Sequence, residues 1–316
     1  MEALDNGFHE VVGIVADAES AAARLRQALG YTVRHQGSVP DGALALMGVA
    51  PGTAAQEIVL GHPQATRGDI RLMQFAGGPR GRMRDGGQAW DTGGIFDINI
   101  RALQDIEPLH RAMSLAGFVS PAPITDWDFG PLSVREVVEN DSDGLAVALM
   151  ERVSPPLVGY EHLSGPASWV FNSTQVVPDF ASARAFYRDV LGWLPVQEST
   201  QRHESGVNCM GLPLGLARDI EIEIGIYHPA GRMEGSVEII AFAFEGFDFS
   251  DATPPDRGWA ALRFPVRDLD AMIARLHAAG LSVGEPAEFD WAPHGLVRGA
   301  TLRTPWGARL ELLERI

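Results

Sequence analysis

Residues 178–193, PDFASARAFYRDVLGW, have a near-copy at residues 16–31, ADAESAAARLRQALGY, in the other half of the chain. In the second stretch Asp179 stands where its side chain can cap a helix, and apolar residues follow at helical spacing. Gly192 comes next, where a glycine can end the helix in a left-handed conformation. The first stretch has the same residue types at matching positions. The repeat therefore predicts two equivalent helices in a chain that is built from a duplicated unit.

The similarity between the halves continues on both sides of these helices. A strand-like run precedes each one, EVVGIVA at residues 10–16 and FNSTQVV at residues 171–177. Near the end of each half, VALMER at residues 147–152 corresponds to LELLER at residues 310–315. Within each half, a strand and a helix followed by three strand-like runs occur twice. The sequence therefore predicts four βαβββ modules.

These modules define the predicted domains. The four modules cover residues 8–75, 94–152, 168–245 and 257–316. A linker with prolines and glycines at residues 153–167 separates an N-terminal domain, residues 1–152, from a C-terminal domain, residues 168–316. We predict an α+β fold in which the modules pair into two domains, each with curled mixed sheets around a cleft.

Composition excludes several classes of function. The net charge of −16 argues against binding to a phosphate backbone, so we expect no nucleic acid partner. All 25 basic side chains are arginine, which excludes Schiff-base chemistry on lysine. The single cysteine, Cys209, excludes an intrachain disulfide. No apolar stretch is long enough to span a bilayer and no signal peptide is recognisable, so we expect a cytoplasmic protein without a membrane partner.

Three phrases in the sequence point to a known family. They are FYRDVLGW at residues 186–193, AAGL at residues 278–281 and TPWGARLELLE at residues 304–314. With these phrases in four βαβββ units, the chain resembles the vicinal oxygen chelate superfamily, the group of glyoxalases, bleomycin resistance proteins and extradiol dioxygenases. The resemblance covers essentially the whole chain and implies a two-domain member. It does not imply one reaction, because that scaffold supports lyases, isomerases, dioxygenases and metal-free drug-binding proteins.

The resemblance also implies where metal ligands would stand, on the first and last strands of each module. Counting back from the helix caps gives the first-strand positions, and the matching place in each last strand gives the others. The N-terminal set is Glu10, Arg71, Asp97 and Ala148, and the C-terminal set is Asn172, Glu238, Ala261 and Glu311. In the second module the count itself falls on Ile98, whereas strand alternation favours Asp97. Neither set contains a histidine, which departs from the family pattern.

In the N-terminal set, Arg71 would repel a divalent cation and would form an ion pair with Glu10. We therefore expect this pair to take the place of a metal. In the C-terminal set, the oxygen atoms of Asn172, Glu238 and Glu311 could hold a divalent cation such as Mg, Mn, Fe or Zn. The alternative that we favour is a site without a metal, in which two facing carboxylates act as an acid or a base.

Four further residues are candidates for the C-terminal site or its equivalent. His294 has the side chain best suited to a general base near neutral pH. Arg263 could neutralise the carboxylates or contact a substrate. Trp127 and Trp291 occupy matching positions in the two halves and could form an aromatic wall for a ligand.

Three function classes are compatible with these residues. We favour a glyoxalase-like or dioxygenase-like enzyme acting on a small organic molecule, a lyase, isomerase or dioxygenase with its catalytic residues Glu238, Glu311 and His294 in the C-terminal cleft. The alternative is a metal-free binding protein of the bleomycin resistance type. The third class is a scaffold whose clefts are filled by side chains. We also expect a homodimer as one possible assembly.

Overall fold

The computed structural model describes residues 7–78, 80–129 and 131–316. Residues 1–6, the start of the predicted N-terminal domain, lie outside these ranges. The described residues form an α+β fold of two curled, mixed sheets with eight strands each. The predicted fold class is confirmed, since a strand, a helix and three strands follow one another four times along the chain.

The four modules differ only in small additions. The first contains β1 (Glu10–Ile14), α1 (Ala18–Leu29), β2 (Thr32–Ser38), α2 (Asp41–Leu46), β3 (Ala55–Gly61) and β4 (Asp69–Phe75). The second contains β5 (Asp97–Ala102), α3 (Ile106–Leu115), β6 (Thr125–Phe129), β7 (Leu132–Asn140) and β8 (Ala146–Ser154). The third contains β9 (Ala167–Val176), α4 (Phe180–Ala185) with a π-helical continuation (Phe186–Val190), β10 (Leu194–Gln201), α5 (Leu214–Asp219), β11 (Ile222–His228) and β12 (Ser236–Phe242). The fourth contains β13 (Gly258–Pro265), α6 (Leu269–Ala278), β14 (Ala287–Asp290), β15 (Leu296–Arg303) and β16 (Arg309–Arg315).

The helices of the repeat begin at the predicted caps, but the second changes from α-helical to π-helical geometry at Phe186. The Asp17 side chain accepts a hydrogen bond from the backbone N–H of Ser20, and Asp179 accepts one from that of Ser182. Gly30 ends α1 with a φ of 75°, a left-handed conformation that glycine adopts without a steric penalty. None of the helices in the described ranges is long and apolar enough to cross a membrane.

Strand pairing joins the modules in an order that differs from our expectation. One sheet has the order β14-β15-β16-β13-β1-β4-β3-β2, and the other has the order β10-β11-β12-β9-β5-β8-β7-β6. The first and fourth modules thus share one sheet, through antiparallel pairing of β1 with β13. The second and third modules share the other, through antiparallel pairing of β5 with β9. We call them the outer-module sheet and the inner-module sheet.

This arrangement corrects the expectation that each half of the sequence encloses its own cleft. The linker at residues 153–167 runs from β8 to β9, and β9 then pairs with β5 of the preceding module. The first and last modules pair with each other through β1 and β13, so neither strand has an unpaired edge at this junction. The division of the sequence at the linker stays a prediction, but each cleft takes one module from each half.

Alternation along the central strands decides which residues face the clefts. On β5, Ile98 and Ile100 are fully buried in the main hydrophobic core, which also contains residues of the module helices. Asp97, Asn99 and Arg101 point to the opposite face and line a cavity. The period of two that defines a strand therefore places Asp97, and not Ile98, in the cleft of the inner-module sheet.

Candidate functional site

The concave face of the inner-module sheet surrounds a cavity of about 620 Å³, including the space that opens to solvent. Its lining comes from both central strands, β5 and β9, from β6, β7, β8, β11 and β12, and from two loops. The aliphatic part of the wall is Leu132, Val134, Val138, Ile224, Ile226 and Ile240. Trp127, Phe171 and three methionines, Met150, Met210 and Met233, complete the apolar surface. An apolar wall with a few polar groups is typical of a pocket for a small organic ligand.

Three carboxyl groups project into this apolar cavity. Asp97 and Glu136 are buried and Glu238 is partly exposed to the cavity. Burial raises the pKa of Asp97 to about 7, and hydrogen bonds from Thr174 oppose this shift only in part. Burial, together with the nearby charge of Asp97, raises the pKa of Glu136 to about 7. Burial and the charges of Glu136 and Asp97 raise the pKa of Glu238 to about 8. The three groups therefore titrate near neutral pH.

Hydrogen bonds hold these carboxyl groups in place. The indole Nε1 of Trp127 donates to Oε2 of Glu136 at 2.8 Å, and the buried thiol of Cys209 lies 3.5 Å from the same oxygen. The hydroxyl of Thr174 donates to Oε2 of Glu238 at 3.3 Å. Each carboxyl group thus has a defined orientation, and no arginine forms an ion pair with Glu136 or Glu238 among the described residues.

The amide of Asn172 is already occupied by neighbouring side chains. Its Nδ2 donates to Oγ of Ser236 at 2.6 Å, and its Oδ1 accepts from Nδ2 of Asn99 at 3.0 Å. The same Nδ2 of Asn99 also donates to Oδ1 of Asp97 at 3.2 Å. Asn172 therefore fixes the Asn99 amide and, through it, the orientation of Asp97.

The outer-module sheet has a different centre, which is closed by ion pairs. Arg71 binds Glu10 with Nε at 2.7 Å from Oε1 and binds Glu57 with Nη1 at 2.6 Å from Oε1. Arg263 donates from Nη1 to Glu10 at 2.9 Å and from Nε to Glu311 at 2.7 Å. All five side chains are at most 2% exposed. We call them the ion-pair cluster. Its three carboxylates and two guanidinium groups neutralise most of one another's charge.

Two more of the candidate residues lie beside the ion-pair cluster. The Trp291 indole is fully buried and donates from Nε1 to Oε1 of Glu10 at 3.0 Å. The His294 ring packs on Trp291 with 4.4 Å between the ring centroids, and its Nε2 lies 3.6 Å from Oδ2 of the buried Asp69. Neither side chain lines the cavity of the inner-module sheet.

The structure therefore separates residues that the sequence led us to group together. Glu238 and Asn172 lie in the inner-module sheet, whereas Glu311, Arg263, Trp291 and His294 lie in the outer-module sheet. Likewise Glu10 and Arg71 contact each other, but Asp97 and Ala148 lie on the other sheet. Ala261 packs in a hydrophobic cluster of the outer-module sheet. The expected joint site of Glu238 and Glu311 is wrong, because β12 and β16 belong to different sheets.

Sequence reasoning missed three side chains of the cavity. Glu136 lies between Val134 and Val138 on one face of β7, so a charged residue in an otherwise apolar alternation was the available signal. Arg101 follows Asp97 by four residues on the same face of β5, and Arg152 lies near the end of β8. Both arginines could be found only once the cavity-facing strands had been identified.

The residues present do not fit the metal site of the C-terminal set. Glu311 lies in the ion-pair cluster, and the Asn172 oxygen accepts a hydrogen bond from Asn99. Within the described ranges, no three His, Cys, Asp or Glu side chains are grouped as metal ligands. The three carboxyl groups of the cavity have raised pKa values, so near neutral pH protons compete with a cation for them.

Comparisons with known proteins agree with this architecture. Residues 162–312 match the family model described as "Glyoxalase/Bleomycin resistance protein/Dioxygenase superfamily". Glyoxalase I from Zea mays superposes with a TM-score of 0.64 at 14% identity, covering 98% of this chain and 92% of that chain. A candidate dioxygenase from Bacillus subtilis subsp. subtilis str. 168 gives a TM-score of 0.60 at 13% identity, with 98% and 84% covered. A comparison with curated proteins gives no significant match. At these identities the two structures support the fold alone.

Proposed function

We propose, from the premise that this chain belongs to the glyoxalase/bleomycin resistance protein/dioxygenase superfamily as a two-domain member, that it is an acid–base enzyme for small organic molecules. Its site is the cavity of the inner-module sheet, where Asp97, Glu136 and Glu238 move protons without a metal. Among the reactions of the scaffold, isomerisation and elimination need only proton transfer. A lyase or isomerase therefore fits this donor set better than a dioxygenase.

The observation that carries this proposal is the cluster of three carboxyl groups in one apolar cavity. A general acid or base works best when its pKa lies near the working pH, and burial brings all three groups to about 7 or 8. Since the groups repel one another when ionised, loss of one proton makes the next loss harder. Near neutral pH the cavity therefore holds both protonated and ionised carboxyl groups, as acid–base catalysis requires.

The hydrogen bonds favour a division of roles between Glu136 and Glu238. Glu136 accepts from the Trp127 indole and faces the Cys209 thiol, and both contacts favour its ionised form. Glu238 has the highest pKa of the three and keeps its proton at pH 7. In our proposal Glu136 takes a proton from a carbon next to a carbonyl group, while Glu238 donates its proton to the carbonyl oxygen. The resulting enol can be reprotonated at the same carbon or can expel a leaving group from the carbon beyond it. When the deprotonated carbon carries a hydroxyl group, the intermediate is an enediol, and reprotonation at the former carbonyl carbon completes an isomerisation.

Hydrogen exchange tests this proposal without knowledge of the natural substrate. A panel of small carbonyl compounds is incubated with the protein in D2O, and exchange at the carbon next to the carbonyl is followed by proton NMR. We expect exchange of at least one compound, and we expect Glu238→Gln to slow it at least ~10²-fold, the contribution of a positioned acid or base. The matched control is Glu223→Gln, an exposed glutamate on β11 of the same sheet.

Treatment with a chelator separates this mechanism from metal catalysis. The metal-free proposal expects the exchange rate to survive removal of divalent cations, as checked by elemental analysis of the treated protein. A rate that disappears with the metal and returns with Mg, Mn, Fe or Zn would refute it. So would a Glu238→Gln protein that is folded and exchanges at the rate of the unmodified chain.

A binding protein of the bleomycin resistance type is the second candidate, and the cavity wall supports it. Met150, Met210 and Met233 line the cavity, and flexible methionines suit a pocket that holds ligands without reacting with them. A compound that quenches Trp127 fluorescence on saturable binding, in a protein that catalyses no exchange, would favour this function. The homodimer stays a prediction, which light scattering in solution tests.

A further inference from the structure

Arg101 is a buried cation at the wall of the cavity of the inner-module sheet. Its side chain is 3% exposed and comes from the same face of β5 as Asp97. The guanidinium carbon lies 3.9 Å from the ring centroid of Phe171 and 5.3 Å from that of Tyr160. The two rings hold the guanidinium plane in position but supply no counterion for its charge.

The hydrogen-bonding capacity of Arg101 is only partly used. Its Nε and Nη1 are buried and have no hydrogen-bond partner among the described residues. Arg152, on the neighbouring strand β8, also lines the cavity, and its buried Nε is without a partner in the same part of the structure. Within the described ranges, neither arginine forms an ion pair with a carboxylate.

Two arginines of the ion-pair cluster provide the internal contrast. Arg71 and Arg263 each contact two carboxylates within 3 Å, as expected because a buried charge without a partner is costly. Arg101 lacks such compensation from the described residues, and its charge adds to burial in lowering the pKa of Arg152. An anion that entered the cavity would therefore relieve both the missing hydrogen bonds and the mutual repulsion.

The two charged ends of the cavity are separated along the strand. Asp97 and Arg101 are four residues apart on β5, so their Cα atoms lie about 13 Å apart at the usual strand rise. The apolar wall lies around and between them. A ligand that spans this distance would place one end near Arg101 and the other near Asp97.

We propose that Arg101 and Arg152 form an anion subsite, and that the ligand of this cavity is a small organic acid with an apolar body. The acid group, a carboxylate or a group of similar geometry, takes the free Nε and Nη1 donors of Arg101 and the Nε donor of Arg152. The body of the ligand lies on the aliphatic and methionine wall. The opposite end reaches Asp97, Glu136 and Glu238. This inference rests on the proposed function for the choice of cavity, but it concerns binding and does not depend on turnover.

A matched pair of probes tests the subsite. The probes are 4-phenylbutanoate and 4-phenylbutanamide, which have nearly the same shape and differ in charge. Binding to the full chain is measured by calorimetry at pH 7.5. We expect the carboxylate to bind at least about 10-fold more tightly than the amide, because hydrogen bonds to charged groups are the stronger ones. Arg101→Gln should remove most of this preference while leaving the affinity for the amide unchanged.

Three further variants keep the test decisive. Arg152→Gln, at a less buried position, should reduce the preference even if Arg101→Gln fails to fold, and Arg101→Lys should recover part of it. Arg111→Gln, on the exposed surface of α3, removes the same charge far from the cavity wall and should change nothing. Equal affinity of the unmodified chain for the two probes, no binding of the carboxylate at millimolar concentration, or a preference that survives both cavity variants would overturn the subsite.

The same measurements separate this inference from the proposed function. Glu238→Gln should keep the preference for the carboxylate probe even where it abolishes hydrogen exchange. If the protein prefers the carboxylate probe but exchanges no hydrogen, the anion subsite is supported and the enzymatic proposal is refuted. If hydrogen exchange depends on Glu238 but the protein binds both probes equally, the enzymatic proposal is supported and the anion subsite is refuted.

Discussion

The two clefts share one construction and differ in how they treat buried charge. In the outer-module sheet, three glutamates and two arginines contact one another at 2.6 to 2.9 Å and close the centre of the cleft. In the inner-module sheet, the acidic groups and the arginines stand apart around an open cavity. A buried charge without a partner is costly, and the ion pairs of the outer-module sheet avoid this cost. The inner-module sheet, where carboxyl groups and arginines face a cavity without ion pairs among the described residues, is therefore the cleft that we propose for a ligand.

Replacing Glu10 should have the largest effect on stability. Its carboxylate binds both Arg71 and Arg263 and accepts from Trp291, so Glu10→Gln leaves two buried guanidinium groups with too few counterions. Burial alone would raise the pKa of Glu10, but the two arginines outweigh burial and lower it to about 2. We expect the free energy of unfolding to fall by about 3–5 kcal/mol, measured by urea denaturation at pH 7.

The control for this variant is Glu19→Gln, an exposed glutamate on α1 of the same module. It should change the free energy of unfolding by less than about 0.5 kcal/mol. The same substitution in the other cleft, Glu238→Gln, should not destabilise the protein, since Glu238 is already protonated at pH 7. If the Glu10→Gln protein were as stable as the unmodified chain, the claim that the outer-module sheet depends on its ion pairs for stability would be contradicted.

The pH dependence of stability should sharpen the comparison. The pKa of Glu238 is about 8 in the folded protein, against 4.5 as its ordinary value, so the folded state binds more protons between these values. Its contribution to stability is therefore fully present below about pH 4.5 and is lost as the pH rises through 8. Relative to the unmodified chain, Glu238→Gln should gain at least about 1 kcal/mol between pH 5 and pH 9.

Urea denaturation at several pH values measures this difference. Glu139, which lies against His110 outside the cavity, also has a pKa raised to about 8 by burial. Because both proteins contain Glu139, its contribution cancels in the difference between them. Parallel curves for the two proteins across this range would mean that Glu238 is ionised throughout and is not the acid that we propose.

The smallest effect is expected from Trp127→Phe, which keeps the ring but removes the donor to Glu136. Without the indole hydrogen bond the pKa of Glu136 should rise, since this bond lowers it in the unmodified chain. The acid limb of the pH–rate profile for hydrogen exchange should move to higher pH, with a few-fold lower rate at pH 6, equivalent to about 1 kcal/mol. Trp90→Phe, outside the cavity wall, should leave the profile in place. A rate lowered equally at all pH values would indicate a role in packing alone.

Part of the candidate site could be predicted from the sequence. Counting from the helix cap led to Asn172, strand alternation led to Asp97, and the last-strand position led to Glu238; the structure places all three around one cavity. Their positions follow from the strand alternation, which local sequence determines. Glu136 and Arg101 escaped this count because neither stands at a position that the family resemblance marks. Their importance comes from facing the same space as the other carboxyl groups.

The sequence by itself determined the four βαβββ modules, the caps of their helices and the face on which each strand residue lies. These features depend on contacts between residues that are close in the chain, such as the bond from Ser20 to Asp17. Only the tertiary structure decided that Glu238 faces Asp97 and that Glu311 faces Arg263. The modules have nearly the same local pattern, so that pattern cannot specify which two will pair. That choice depends on long-range packing between β1 and β13 and between β5 and β9, together with the need to compensate each buried charge.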